Sequence, residues 1–370
     1  MKLSIAANPV GKACAMQEDS IPDVSVIVPC RNEIGHIRTF LDCVFRQELG
    51  LIEMEILIAD GMSDDGTREV LAEFEGQRPF IRVLDNPERI VSTGANRAIR
   101  EARGEIIIRM DVHTLYAPDY VRTCVDVLNA TGAGNVGGPA RTRADGPLAE
   151  AIALAFHTPF ASGGAKYRDP RYEGPAASVP YGCFRKSTLE FVGLYDEELV
   201  CGQDADLNFR ITSFGWTVWQ SPKIVSWYTP RSSISNLIRQ HFQYGYWKAR
   251  ILRKHREIFS RRSIVPALSL VVGVALLLCA LAASLGRSVW WRNAFLTVLL
   301  VLLDAYLIAS FATAFCIAKR NGWRFFFLLP VIFAAYQLPY AIGFLLALLY
   351  RPTIRNLRAG IRTAIAETTR

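Results

Sequence analysis

The pattern of apolar and polar positions changes along the chain, from short alternating blocks in the first two thirds to long uncharged runs in the last third. The β-branched run Val24–Val28 predicts a strand, and the spacing of apolar residues over Ile34–Phe45 predicts a helix behind it. The same succession then repeats, with strands at Ile56–Ala59, Ile81–Leu84 and Ile106–Met110 and helices at about 67–75 and at Thr93–Ala102. This alternation predicts an α/β fold, in which helices flank a mostly parallel sheet that binds ligands at the carboxyl ends of its strands.

Three apolar runs follow, at residues 263–286, 293–318 and 325–350, and only Asp304 interrupts the second. Each run is longer than the ~20 residues that a helix needs to cross a bilayer. The chain is therefore predicted to be an integral membrane protein with a soluble front. The predicted segments are an N-terminal extension (1–22), the α/β domain (23–230), a basic interfacial helical segment (231–262), the transmembrane helices (263–350) and a basic tail (351–370).

The distribution of charge also points to a membrane. The formal net charge is +8, but residues 231–262 alone carry nine Lys or Arg against one Glu, and residues 351–370 carry five Arg against one Glu. Basic residues beside apolar runs are typical of segments held by anionic lipid, which favours membrane lipids over nucleic acid as the partner. The eight cysteines are scattered without a C-x-x-C pair, and the first 20 residues lack the apolar core of a signal peptide. We therefore expect neither a zinc site nor a disulfide framework, and a cytoplasmic soluble domain.

Polar motifs end the first two predicted strands. Val28–Glu33 reads Val-Pro-Cys-Arg-Asn-Glu, and its polar groups could meet a base or a ribose or could instead cap the next helix. Asp60–Thr67 follows the second strand, where Asp60 could accept a hydrogen bond from a base or a ribose hydroxyl. A capped Asp/Gly turn is sufficient to explain the second half of this motif.

Two further motifs carry candidate chemistry. Asp111 and His113 leave the fourth strand two positions apart, so both can face one side and bind a divalent cation that neutralises a diphosphate. An imidazole ligand suits Mn²⁺ better than Mg²⁺. Asp204 and Asp206 lie at a predicted helix start. The helix dipole favours acidic residues there, so they could be cap residues, or they could supply a general base for an acceptor hydroxyl.

Taken in order, these motifs resemble those of the family 2 glycosyltransferases, the inverting group with the GT-A nucleotide-diphospho-sugar transferase fold. The matching motifs are the strand-Pro…Asn-Glu opening, Asp60–Thr67, an Asp-x-Asp-type site written Asp111-Val-His113, and a Glu-Asp-x-Asp-Leu-type site written Gln203–Leu207. The resemblance covers about residues 22–262, with His113 in place of the usual second Asp and Gln203 in place of the usual Glu. The apolar C-terminus and the segment Arg239–Lys248 look most like membrane-anchored bacterial exopolysaccharide glucosyltransferases of the succinoglycan type.

The resemblance implies roles for individual residues. It assigns Pro29, Glu33, Asp60, Asn96 and Asp111, together with Arg31 of the first motif, to the nucleotide sugar. Asp111 and His113 would hold the divalent cation, Mn²⁺ or Mg²⁺, and Asp204 would be the catalytic base. The predicted acceptor-binding residues are Asp206, Gln240, Gln243, Tyr244 and Trp247. The aromatic residues among them would equally suit an interfacial belt.

The predicted reaction is the inverting transfer of a sugar, most simply glucose from UDP-glucose, to a polyprenyl-diphosphate-linked saccharide. It would take place at the cytoplasmic face of the inner (plasma) membrane, in exopolysaccharide synthesis. Processive synthases of the family carry a Gln-x-x-Arg-Trp segment, whose Arg and Trp are absent from the corresponding Gln240–Tyr244, so addition of a single sugar is favoured. A processive synthase and a non-catalytic scaffold that binds nucleotide sugars are the alternatives, and the presence of Asp204 argues against the second. Asp304 within a span would suit a transporter, which so few spans disfavour.

The topology of the membrane region is left open by the sequence. Positive-inside counting places Arg253–Arg262, Lys319–Arg320 and Arg351–Arg370 all in the cytoplasm. Three full spans cannot achieve this, because an odd number of crossings separates the two ends. Either Pro330 and Pro339 break the last run into a re-entrant pair, or the tail is translocated.

Overall fold

The structure, a computed structural model, describes residues 21–230, 233–255 and 261–350. The predictions for the N-terminal extension before residue 21, for residues 231–232 and 256–260 of the basic segment, and for the tail 351–370 lie outside the described residues. The chain divides into two compact units, of which the first comprises residues up to Ala140 and Pro170–Tyr228. The second comprises Arg141–Asp169 and the chain from Thr229 onward. The segment 141–169, predicted as part of the α/β domain, thus clusters with the C-terminal helices, because its apolar helix packs against them.

The first half of the first unit alternates strands and helices as the apolar pattern predicts. Its elements are β1 (Val24–Cys30), α1 (Ile37–Phe45), β2 (Met54–Asp60), α2 (Thr67–Gln77), β3 (Ile81–Asp85), α3 (Val91–Glu101) and β4 (Ile106–Arg109). These strands pair in parallel in the order β3-β2-β1-β4. The register sets Cys30 beside Asp60 and Asp60 beside Asp85, so the carboxyl ends of β1, β2 and β3 lie level at one edge.

The second half of this unit extends the sheet with shorter, mostly antiparallel strands. Its elements are β5 (Thr114–Tyr116), α4 (Tyr120–Thr131), β6 (Asn135–Gly137), β8 (Gly174–Pro175), β9 (Cys183–Arg185), α7 (Lys186–Val192), α8 (Gln203–Ser213), β10 (Val218–Gln220) and β11 (Ser226–Tyr228). The eight-stranded sheet continues from β4 in the order β9-β6-β10-β8. Strand β9 runs antiparallel to both β4 and β6, while β5 and β11 pair antiparallel outside this sheet. Strand β9, which pairs with β4, leads through α7 and a loop to the motif at the start of α8.

Two apolar cores lie on opposite faces of the sheet, because successive strand residues point to opposite sides. On one face Val26 and Ile56 pack with residues of α1 and α4, including Phe40 and Tyr120. On the other face Ile27, Leu57 and Ile107 pack with residues of α3, α7 and α8, which are Ala95, Ile99, Leu189, Leu207 and Ile211. Burial on both faces is typical of parallel sheets and explains why β1 and β2 are nearly continuous apolar runs.

The second unit consists mainly of helices. Its elements are β7 (Arg141–Thr142), α5 (Pro147–Phe156), α6 (Pro159–Ser162), α9 (Ile234–His255), α10 (Val265–Leu285), α11 (Val289–Asn321) and α12 (Leu328–Leu349). Helices α10, α11 and α12 are long and apolar enough to cross a membrane, at the positions of the three predicted runs. They differ in burial, since only 6% of the most apolar stretch of α10 and of α11 is buried against 50% for α12.

Candidate active site

The loop after β2 is organised around Asp60. This carboxylate has no exposed surface, and it accepts hydrogen bonds from the Ser63 amide (3.1 Å), the Ser63 hydroxyl (2.5 Å) and the Arg68 guanidinium (2.9 Å). Arg68 also pairs with Asp85 at the end of β3, at 2.7 Å. Asp60 therefore holds the loop in place through these hydrogen bonds. Contact between its carboxylate and a nucleotide stays a prediction.

The first two motifs are joined by side-chain to backbone hydrogen bonds. The amide of Asn32 donates to the Ser63 hydroxyl (2.9 Å), and the amide of Glu33 donates to the Thr67 hydroxyl (2.9 Å). Asp65 accepts from the amide of Ile34 at 3.1 Å and from that of Thr67 at 3.0 Å. The second half of the Asp60–Thr67 motif is thus structural. Helix α1 begins at Ile37 rather than at the predicted Ile34, and the amides of residues 33 and 34 donate to this loop.

Pro29, Arg31 and Glu33 lie at the carboxyl end of β1. Pro29 is its last residue but one and is half-buried beside Ala59 of β2. The stem of Arg31 packs on Gly61, where an added Cβ would come within 3.1 Å, and its Nε is buried without a hydrogen-bond partner among the described residues. Burial and the neighbouring Arg89 guanidinium lower the pKa of Arg31. A buried, unpaired donor beside a second cation at this edge is suited to an anionic ligand.

Asn96, predicted to help close the nucleotide site, is hydrogen-bonded within the protein. It is 2% exposed, and its amide nitrogen donates to the Tyr195 carbonyl (2.8 Å) and to Glu197 (2.9 Å). Its side-chain oxygen accepts from the Tyr195 amide at 2.8 Å. Both of its amide hydrogens are used within the protein, so Asn96 ties the loop before α8 to α3, and its part in closing the nucleotide site stays a prediction.

Arg109, the last residue of β4, lies between the third and fourth motifs. Its side chain is 5% exposed and donates to Asp111 over 3.1–3.4 Å and to Asp204 at 2.5 Å. The guanidinium carbon lies 5.7 Å from the centre of the Tyr195 ring. Burial alone would lower the pKa of Arg109, but the two carboxylates raise it well above its usual value, so the group stays charged.

Arg109 has no role among the residues predicted from the sequence. The available signal is its position: it ends a strand whose other three residues are Ile, and a charge placed in a buried strand requires partners. Which partners it takes is set only by the fold, since Asp204 lies 95 positions further along the chain.

Asp204 and Asp206 have different surroundings although they share the first turn of α8. The helix is preceded by Gly202 in a left-handed conformation (φ 80°), so neither carboxylate belongs to the N-cap residue. Asp204 is one-third exposed (33%) and faces Arg109. Burial raises the pKa of Asp204, and the nearby Asp111 adds to this, whereas Arg109 lowers it.

Asp206 is fully buried, which argues against its predicted contact with an acceptor. Its carboxylate accepts from Arg210 at 2.9 Å, and Arg210 also donates to the carbonyls of Val192, Gly193 and Leu194. The pair therefore ties α8 to the end of α7.

Asp111 and His113 are the two predicted metal ligands. Asp111 is 19% exposed and paired with Arg109, and the Nδ1 atom of His113 lies 3.4 Å from the Glu33 carboxylate. The described residues contain no group of three or more His, Cys, Asp or Glu that could hold a metal. A carboxylate and an imidazole nevertheless fit a cation of the Mg²⁺ or Mn²⁺ type, which is commonly held by one or two side chains and completed by substrate phosphates and water.

The remaining predicted acceptor residues lie on α9 in the second unit. Gln240 donates to the Tyr244 hydroxyl at 3.0 Å, and Tyr244 is 40% exposed. Gln243 is half-buried. Trp247 is 4% exposed, with the Arg250 guanidinium 5.4 Å from its ring centre, so its burial argues against direct contact with an acceptor.

Comparison with known proteins identifies the family. The sequence matches "Glycosyl transferase family 2" over residues 25–189. It is 31% identical over 291 residues to the succinoglycan biosynthesis protein ExoA of Rhizobium meliloti (strain 1021), covering 74% of this chain and 88% of that protein. The chain belongs to glycosyl transferase family 2. This match confirms the resemblance drawn from the four motifs. It also confirms the prediction that the chain is a glycosyltransferase.

Two further similarities bear on this family 2 protein. A Methanococcus voltae enzyme named "Dolichyl N-acetyl-alpha-D-glucosaminyl phosphate 3-beta-D-2,3-diacetamido-2,3-dideoxy-beta-D-glucuronosyltransferase" is 28% identical, over 62% of this chain and 74% of that one. The solved mannosyltransferase PcManGT of Pyrobaculum calidifontis, in complex with GDP-Man and Mn²⁺, superposes with a TM-score of 0.56 at 20% identity, covering 89% of this chain and 88% of its own. The second similarity confirms the predicted GT-A-like fold.

Proposed function

We propose that this enzyme transfers glucose, with inversion, from UDP-glucose to a lipid-linked saccharide at the cytoplasmic face of the plasma membrane. The observation that carries the proposal is the Arg109 bridge, because one guanidinium joins the candidate base Asp204 to the candidate donor-side residue Asp111. The names of two relatives, one for succinoglycan biosynthesis and one for a dolichyl phosphate substrate, support a lipid-linked acceptor in glycan synthesis. Three helices long enough to cross a membrane support a membrane location.

Asp204 acts as the general base in this proposal. It takes the proton of the acceptor hydroxyl while that oxygen forms a bond to the anomeric carbon, and the bond from this carbon to the diphosphate oxygen breaks on the opposite face. The departing nucleoside diphosphate carries the electron pair of that bond. The transition state is oxocarbenium-like, as in other glycosyl transfers, and no covalent enzyme intermediate is required.

Arg109 positions the base. Its buried guanidinium fixes the direction of the Asp204 carboxylate and opposes the effect of burial on the pKa of that group. The ion pair with Arg109 thus favours the ionised form of Asp204, the form that accepts a proton. A base whose pKa is shifted towards the working pH is favourable for proton transfer.

The donor side supplies charge for the leaving group. Arg31, whose buried Nε has no hydrogen-bond partner in the described part of the chain, is proposed to bind the donor's anionic part together with the neighbouring Arg89. Asp111 and His113 would hold a divalent cation, which when bound would neutralise the charge that develops on the diphosphate. Glu33 lies beside His113 and would fix the orientation of its ring.

The test uses the full-length protein purified in detergent, with labelled nucleotide sugars and a bacterial lipid extract as acceptor. We expect label from UDP-glucose to enter a lipid-soluble product, one sugar per acceptor, with the opposite anomeric configuration by NMR. Transfer from a different nucleotide sugar alone would refute the donor, and a high-molecular-mass product would indicate a processive synthase. Nucleotide-sugar binding without transfer from any donor would favour the non-catalytic scaffold.

A further inference from the structure

Helices α9 and α12 form a parallel pair along their whole lengths. Near their N-terminal ends Leu237 shares an apolar cluster with Phe333, and near their C-terminal ends Arg253 donates to the Leu348 carbonyl at 2.6 Å. At the centre the backbones touch: a Cβ added at Gly245 would lie 2.0 Å from the Tyr340 carbonyl oxygen. Such a close approach along two 22-residue helices means that α9 and α12 lie at the same depth in any membrane.

Helix α9 cannot lie across a bilayer. Its 22 residues include five basic side chains and no acidic one, and the basic residues are Arg239, Lys248, Arg250, Arg253 and Lys254. Lys and Arg are among the most unfavourable residues at the centre of a membrane helix. If α12 crossed the membrane, its parallel partner would carry these charges through the hydrocarbon.

The surroundings of α12 are those of a helix within a folded unit. The Tyr336 hydroxyl donates to the Ile152 carbonyl of α5 at 3.2 Å, and the Gln337 amide donates to the Phe160 carbonyl of α6 at 2.6 Å. Apart from Leu348 near its C-terminal end, the residues of α12 that remain strongly exposed recur every three, four or seven positions. They form one apolar stripe, Val331, Leu338, Ile342, Leu346 and Leu349. One apolar stripe on an otherwise covered helix, paired with a basic helix, is typical of an element in the plane of the interface.

Helices α10 and α11 contrast with this pair. Both have few buried residues along their apolar stretches, pack against each other and are joined by three residues, which makes them an antiparallel hairpin. Asp304 is the single charged residue of α11 between Arg292 and Lys319. These two helices are therefore suited to crossing a bilayer as a pair.

We propose that α10 and α11 alone cross the membrane, and that α12 lies beside α9 in the interfacial layer, its apolar stripe against the acyl chains and the basic residues of α9 among anionic headgroups. Two crossings return the chain to its starting side. The basic residues before α10, Lys319–Arg320 after α11, and the basic sequence 351–370 then all satisfy the positive-inside rule. The proposal removes the conflict that three spans create and is independent of the sugar and acceptor proposed above.

The first test measures the side of the membrane on which chosen positions lie. Single substitutions Ser288→Cys, Asn321→Cys and Tyr350→Cys in the full chain are labelled with a membrane-impermeant maleimide, in intact and in inverted vesicles, against the wild-type background. We expect Ser288→Cys to label only from the outside, and Asn321→Cys and Tyr350→Cys only from the inside. Labelling of Tyr350→Cys only from the outside would establish a third crossing and overturn the proposal.

The second test measures depth along α12. Spin labels at Val331, Leu338 and Leu349 sample about 27 Å of helix axis, at ~1.5 Å per residue. An interfacial helix gives similar oxygen accessibility at all three positions, whereas a span gives a maximum at Leu338 with both ends shallow. The latter result would refute the in-plane orientation. Labels at Val298, Leu303 and Phe311 of α11 serve as the control for a crossing helix. The label at Leu303 should differ in depth from the labels at the other two positions.

Discussion

Replacing Asp204 by Asn is the most informative perturbation of the candidate site, because a matched control lies two residues away. Asn keeps the shape of the side chain and can still accept the hydrogen bond from Arg109, but it cannot take a proton from an acceptor hydroxyl. Asp204 is one-third exposed, and Arg109 keeps its second carboxylate partner, Asp111, so the buried guanidinium is not left without a counter-charge. We therefore expect a folded protein that binds donor normally and has lost most of its turnover.

The expected loss follows from the role of the group. A positioned general base contributes about 10²–10⁴-fold to a rate. At about 1.4 kcal/mol for each factor of ten, this is about 2.7–5.4 kcal/mol of activation free energy. Asp206 should behave in the opposite way, since it is fully buried and pairs with the 15%-exposed Arg210. Asp206→Asn leaves that cation without its counter-charge, at a cost of about 3–5 kcal/mol in the free energy of unfolding.

The assay compares initial rates of sugar transfer, affinity for the nucleoside diphosphate by calorimetry, and thermal unfolding in detergent for both variants. We expect Asp204→Asn to lose rate with unchanged affinity and unfolding temperature, and Asp206→Asn to lower the unfolding temperature. An Asp204→Asn variant within tenfold of the wild-type rate would refute the assignment of Asp204 as base.

Three further outcomes are expected. Arg109→Met removes the cation that lowers the pKa of Asp204, so that pKa rises and the acid limb of the pH–rate profile moves to higher pH; an unmoved limb would contradict the positioning role. His113→Asp should move the metal preference for activity from Mn²⁺ towards Mg²⁺, because it exchanges imidazole for a second carboxylate, and an identical metal ranking would exclude His113 as a ligand. Gly343→Ala would set a Cβ 2.1 Å from a carbonyl oxygen of α9 and should destabilise the α9–α12 pair by about 1–3 kcal/mol. Gly273→Ala, whose nearest neighbour would be 3.8 Å away, should leave the unfolding temperature in detergent nearly unchanged.

Local patterns in the sequence were sufficient to predict the α/β order and the edge at which the polar motifs gather. A β-branched run followed by helical spacing is a property of adjacent residues, and parallel pairing then brings successive strand ends to one edge of the sheet. Asp60, Asp111 and Asp204 could be singled out for this reason. The helix-cap alternative for Asp65 and Thr67 was also readable, because Asp and Thr bind nearby amides.

Only the tertiary structure decided which polar groups are accessible to a ligand and which form hydrogen bonds within the protein. Arg109 meets Asp204 across 95 positions, and Asn96 meets Tyr195 across 99, and no local pattern contains pairings at such distances. The distinction between Asp204 and Asp206 depends on which side of one helical turn faces Arg109 and which faces Arg210.

The membrane region shows the same division. Hydropathy and length identified all three apolar helices, since both are sums over one segment. Hydropathy and length could not distinguish the surroundings of α12 from those of α10 and α11, because a helix buried against protein and a helix exposed to lipid are equally apolar. What separates them is the neighbour: α12 packs along a basic helix from a segment about 90 residues earlier in the chain, and that contact exists only once the chain has folded.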